Sequence, residues 1–354
     1  MRTHHTAYLY AAGLALMLLF ACCKPDPVED PSLKEIELSV PAHFPKPVIP
    51  ADNPLTQAKI DLGKKLFFDP ILSKDRSVSC SSCHLQANAF SDPRKISLGV
   101  NNVPGTRNAP PLFNLVYHKS FFWDGSNPML ETQALFPIEA PFEMNLPIDS
   151  AIARLKRHSE YPKLFAHAFG DSIGVSVKGL TDALSCYERS LLSTTSKYDR
   201  FIQAGFDSTV FTPVEWKGYK LFFAESAGAH AECFHCHNGP NMDDPEGKFR
   251  NNGLYLYYED LGRYNVTGSP FDIGKFKVPS LRNVEYTAPY MHDGSLPTLE
   301  AVLDHYGSGG QLNQNRDVLM GNIILSAEEK QAIIAFLKTL SDPGLLTNPA
   351  YAPD

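Results

Sequence analysis

The sequence predicts a mainly α protein built from two tandem copies of one module, joined by long irregular loops. Three observations carry this expectation: apolar residues at three-to-four spacing in six stretches, one short motif that occurs twice behind the same upstream phrase, and Gly/Pro/Asn-rich segments between them. The helical stretches are 56–68, 148–157, 177–193, 213–224, 298–306 and 327–340. Ser326 with Glu329 three positions on reads as a capping box, and Pro297 just ahead of the 298–306 stretch suits a helix entry. The connecting segments 85–147 and 238–296 are long enough to expect function in them. Any strands should be short.

Composition narrows the class. A chain of 354 residues holds about two domains, and 43% hydrophobic content excludes a disordered protein. A net charge of −7 provides no basic field for nucleic acid. Seven cysteines are too few for a disulfide scaffold, so their placement must explain them.

Residues 1–21 carry Arg2, an uncharged apolar run over 7–20 and the ending Leu19-Phe20-Ala21-Cys22. This is the order of an export signal, with a run too short to cross a bilayer comfortably. The ending resembles a bacterial lipoprotein signal, in which Cys22 becomes the lipidated mature N-terminus; an ordinary signal peptide cut nearby is the alternative. Either way the protein is exported, and a lipid would hold it to a membrane. Residues 22–50 are rich in proline, including Pro25, Pro27, Pro31, Pro41, Pro45, Pro47 and Pro50, which suits an extended tether.

The repeated motif is Cys-x-x-Cys-His, at Cys80, Cys83 and His84 and again at Cys233, Cys236 and His237. It is the attachment signature of a c-type haem. Two thiols three positions apart reach the two vinyl groups on one porphyrin edge, and the next residue turns under the ring to ligate iron. Gly63-Lys64-Lys65-Leu66-Phe67-Phe68 precedes the first motif and Gly218-Tyr219-Lys220-Leu221-Phe222-Phe223 the second. Two tandem cytochrome-c-like haem domains explain both repeats: 51–204 and 205–342, followed by a tail at 343–354.

Beyond the haem motifs, the chain contains Arg107-Asn108-Ala109-Pro110, Phe122-Trp123-Asp124-Gly125, Gln133, Glu143-Met144, the run from Gly274 to Asn283, and Ala288-Pro289-Tyr290-Met291-His292-Asp293-Gly294. With these it resembles the bacterial di-haem cytochrome c peroxidase family, including its MauG-like branch, over most of 51–342. The resemblance implies an N-terminal peroxidatic haem and a C-terminal electron-transfer haem, both covalently bound, with His84 and His237 as iron ligands. It assigns Glu143 as the acid–base group, Gln133 as a distal amide and Trp123 as an electron bridge between the haems. It also implies a calcium ion held by Asn108, Thr287 and Pro289, whose hard oxygen ligands suit that ion.

Two departures from the peroxidase pattern carry weight. Sixteen residues past the first proximal histidine, where peroxidases place a second His, stands Val100, which cannot ligate iron; an N-terminal haem open at rest is expected. Where peroxidases place a distal Met for the C-terminal haem, the count reaches Tyr306, with His305 adjacent and Met320 on a later loop. A tyrosine there resembles the MauG-like branch. The expected function is reduction of hydrogen peroxide to water with electrons from a c-type cytochrome or similar periplasmic donor. The alternatives are a MauG-like oxidase acting on a protein or organic substrate through a high-valent iron state, and a non-catalytic di-haem carrier, for which Met129 and Met144 would have to supply ligands. A homodimer is left open. His118, His158, His167 and His230 show no ligand spacing, and Cys186 and Cys23 receive no role.

Overall fold

The structure is a computed structural model and describes residues 30–170, 173–223 and 231–353. The expected export signal and Cys22 lie outside the described residues. Contacts divide the chain between Lys34 and Glu35, and the larger unit, Glu35–Asp354, holds all that follows.

The protein is mainly α. Its principal helices are α1 (Gln57–Phe68), α2 (Ile148–Arg157), α3 (Tyr161–Phe169), α4 (Val177–Ser190), α5 (Lys197–Gln203), α6 (Pro213–Phe222), α7 (Leu299–Gly307), α8 (Ala327–Lys338) and α9 (Pro343–Thr347). Among the described residues the sheet is one antiparallel pair of two-residue strands, β1 (Phe249–Arg250) and β2 (Phe276–Lys277), with Arg250 opposite Phe276. Side-chain caps start the helices where the sequence places them: Thr56 accepts from the Lys59 amide, and capping boxes pair Thr212 with Glu215 and Ser326 with Glu329.

The departures from expectation have local causes. The 177–193 stretch stops at Ser190 because the next amides are taken by tertiary partners: Ser193 by the Asn114 side chain at 2.8 Å, Thr194 and Thr195 by Asp342, each at 2.9 Å. Helix α3 is not among the expected stretches; its Pro162 lies in the first turn, where the missing N–H costs nothing. Helix α5 is too short for its periodicity to register and relies on a Ser196–Asp199 capping box.

Two apolar cores form. The first gathers α1, α2, α3 and α4 around Leu66, Phe67, Phe90, Tyr161, Phe165 and Tyr187, all essentially solvent-free. The second gathers α5, α6, α7 and α8 around Phe201, Phe222, Ile333, Phe336 and Leu340. The same device organises each. A Cβ on Gly63 would lie 1.9 Å from the Ala183 carbonyl oxygen and 2.9 Å from Tyr187 Cβ; one on Gly218 would lie 1.9 Å from the Ala332 oxygen and 2.8 Å from Phe336 Cβ. The repeated Gly thus lets α1 cross α4, and α6 cross α8, at backbone contact. The pairing also exposes a second half of the repeat: Ala183, Tyr187 and Leu191 correspond to Ala332, Phe336 and Leu340. The expected tail is no loose end. Leu345 joins the first core, Gln86 donates to the carbonyls of Leu345 and Asn348, and Tyr187 donates to that of Tyr351.

Candidate active site

Each Cys-x-x-Cys-His sits on a 3-10 turn whose carbonyls fold the motif back on itself. The Cys80 oxygen accepts from the amides of Cys83 and His84, and the Cys233 oxygen does the same for Cys236 and His237. All four thiols are free and line cavities. Burial raises the thiol pKa of each, that of Cys233 to about 12, which suits a neutral or thioether-bonded sulfur rather than an exposed thiolate.

The histidines are oriented for a ligand. His84 Nδ1 lies 2.8 Å from the Phe90 carbonyl oxygen and His237 Nδ1 lies 3.1 Å from that of Pro279. A carbonyl at Nδ1 places the proton there and leaves Nε2 with its lone pair, the arrangement found behind metal-ligating histidines. Burial lowers both pKa values, that of His237 to about 4, so both rings are neutral and able to bind a metal. With a cavity of about 580 Å³ over the first motif and about 570 Å³ over the second, the residues fit one covalently held porphyrin apiece.

The first cavity brings together the residues expected at the peroxidatic centre. Glu143 and Gln133 both line it, as do Phe122, Phe136 and Phe142. Burial among these rings pushes the Glu143 carboxyl up to about 7, and no charged partner opposes the shift. Val100 is buried, and its amide donates to the Glu143 carbonyl oxygen at 2.8 Å, fixing the backbone of the acid. Met144 also lines this cavity, whereas Met129 is exposed on the surface.

The second cavity differs in its walls. Tyr306 lines it, half-buried, and its phenol is raised to about 12 by desolvation. His305 does not line it; its Nε2 sits 3.0 Å from the Asn252 carbonyl oxygen. Met320 and Met291 complete the apolar side. His292, in the matched loop, stacks on Phe276 at 3.8 Å between ring centroids.

Trp123 borders both cavities. Its indole N–H donates to the Asn108 carbonyl oxygen at 2.9 Å, and its own carbonyl accepts from the Lys277 amide at 2.8 Å, so the ring is fixed in the dividing wall. Arg107 holds the same wall with two bonds to Asp260 and one to Asp124. The side-chain amide of Asn108 donates to the carbonyls of Arg94 and Lys95; Thr287 and Pro289 lie on the wall of the second cavity. Trp216 stacks on Tyr219 within the second core. Cys186 is buried beside Asn53, away from both cavities.

Three cavity residues escape sequence reasoning. Glu188, on α4, is buried in the first cavity with its carboxyl raised to about 8. His118 and Lys277 line the cavities half-buried, and desolvation lowers the pKa of both. His118 shows no ligand spacing in the sequence, and nothing there singles out Glu188 or Lys277. Only their placement distinguishes them.

Comparison with known proteins agrees with this geometry. Residues 57–206 match the family described as di-haem cytochrome c peroxidase. The chain is 39% identical over 306 residues to the methylamine utilization protein MauG of Methylorubrum extorquens, covering 85% of this chain and 83% of that protein. It is 34% identical to the cytochrome c551 peroxidase of Nitrosomonas europaea, over 85% of each. The crystal structure of a MauG-like protein associated with microbial copper homeostasis superposes with a TM-score of 0.82 at 36% identity, covering 88% of this chain and 97% of that one.

Proposed function

Because the chain belongs to the di-haem cytochrome c peroxidase family, we propose that it reduces hydrogen peroxide to water at its N-terminal cavity, with electrons entering through the C-terminal one from a c-type cytochrome or similar periplasmic donor. In this reading 51–204 and 205–342 are two cytochrome-c-like domains, each with one haem. The observation that carries it is Glu143, a half-buried carboxyl on the wall of the first cavity whose pKa desolvation raises to about 7.

One peroxide, two electrons and two protons give two waters. When bound, the haem iron supplies the centre at which the O–O bond is reduced. The chain supplies the rest. Glu143 as carboxylate takes the proton from one peroxide oxygen and returns it to the other, which then leaves as water. Gln133 orients the peroxide by hydrogen bonding. The phenylalanines around Glu143 exclude water and keep the carboxyl poised near neutral pH. Trp123, bordering both cavities, offers the electron a shorter path across the wall.

Tyr306 is the proposed distal ligand of the C-terminal haem, since it enters the cavity and His305 does not. A calcium ion at Asn108, Thr287 and Pro289 belongs to the same reading: the Asn108 Oδ1 accepts no hydrogen bond from the described residues while its amide group is held on two carbonyls. Anchoring through Cys22 would hold the protein at a membrane facing the periplasm.

Tyr306 and Val100 also favour a second reading, a MauG-like oxidase that withdraws electrons from a protein or organic substrate. Peroxide consumption by the di-haem protein with a reduced small cytochrome c separates the two. Turnover that falls by about 10²–10⁴-fold in Glu143→Gln, with both haems still attached, supports the peroxidase. No turnover in the wild type with any small donor, together with a stable oxidised spectrum after peroxide, supports the oxidase.

A further inference from the structure

The wall between the cavities contains a charge that the proposed reaction does not use. Three residues with permanent positive charge line the cavities among the described residues: Arg107, Arg250 and Lys277. Arg107 is held by Asp260 and Asp124, and Arg250 by Asp317 with Asp244 nearby. The Lys277 ammonium, on a half-buried side chain that lines both cavities, has no hydrogen bond and no ion pair among the described residues; Asp243 is the opposing charge that acts on it. Beside Asp243 lies His118, whose Nε2 is buried without a hydrogen-bond partner, 3.6 Å from the carboxylate. A cation left unpaired on the wall of a mostly apolar cavity favours an anionic partner inside that cavity.

Lys277 borders both cavities. A c-type haem is bonded to protein along its vinyl edge, so its two propionates hang from the opposite edge. Lys277 is tied to the dividing wall through its amide, which donates to the Trp123 carbonyl oxygen at 2.8 Å. We infer that Lys277 is a shared propionate anchor, its ammonium donating to one propionate of each haem across the wall beneath Trp123, with His118 and Asp243 as the polar layer behind it. An ammonium has three donors, enough to serve two carboxylates. As a positioning residue it fixes both rings relative to Trp123 and, as a shared positive charge, raises the reduction potential of both irons together.

The inference rests on both cavities holding haem, which is checked first by counting covalent haem per chain. Fewer than two would overturn that underlying reading and is distinguished by the count alone; peroxide turnover plays no part. In the di-haem protein, Lys277→Met is expected to shift both one-electron couples at least tenfold toward the ferric state, about 59 mV each, by spectroelectrochemical titration, and Lys277→Arg to recover most of the shift. Asp243→Asn keeps the lysine, removes the opposing charge and is expected to move both couples the other way; it decides the matter if Lys277→Met fails to load haem. A shift confined to one haem, or no shift in either, overturns the shared anchor.

Discussion

The two cavities are built alike on one side and unlike on the other. On the proximal side each has a Cys-x-x-Cys-His turn, a histidine held by a backbone carbonyl at Nδ1, and a glycine crossing between two helices. On the distal side the first carries Glu143 and Gln133 among phenylalanines, whereas the second carries Tyr306 and Met320. Duplication has kept the motif turn, the oriented histidine and the glycine crossing, and has changed the opposite walls, which in the proposed reading would face the iron. The difference in chemistry follows: one side presents a carboxyl that can carry a proton near pH 7, the other a phenol raised to about 12.

The largest expected effect tests the distal asymmetry by pH. Glu143 must be a carboxylate to accept the first proton, and its raised pKa keeps it neutral below about 7. Turnover should therefore fall about tenfold for each unit below that pH and level off above it, while Glu143→Gln stays low and flat. A wild-type profile already level at pH 5 would remove Glu143 from the proton path.

The next effect tests the proximal symmetry. Gly63→Ala and Gly218→Ala each place a methyl 1.9 Å from a carbonyl oxygen of the crossing helix. Each should cost about 3 kcal/mol of folding stability in chemical denaturation, since the obstacle is backbone and cannot rotate away. If one is tolerated and the other is not, the two crossings are not equivalent.

Smaller again, and spectroscopic, is the test of the second cavity. Tyr306→Phe should change the absorption and EPR signature of the C-terminal haem and leave the other unaltered. His305→Ala should change neither, because its ring is held on the Asn252 carbonyl oxygen and does not line the cavity. The reverse pattern would make His305 the ligand.

The regular elements were legible in the sequence because they rest on local signals. Apolar periodicity and caps located α1, α2, α4, α6, α7 and α8 to within a few residues. The ends that moved, as at Ser190, moved because distant groups such as Asp342 captured the backbone amides. Half of the repeat was also visible, in the shared Gly-x-Lys-Leu-Phe-Phe phrase. Its other half, Ala183-Tyr187-Leu191 against Ala332-Phe336-Leu340, is three residues spaced four apart with no contiguous phrase, and emerges only from the matching glycine crossings.

By itself the sequence determined the family and named the candidate haem attachment points and the candidates Glu143, Gln133 and Trp123, because motif spacing is written along the chain. The tertiary structure decided which candidates share a cavity, that Tyr306 enters it while His305 turns aside, and that Lys277 and His118 meet Asp243 in one wall. Those outcomes depend on burial and on the convergence of segments more than a hundred residues apart. No local pattern encodes either.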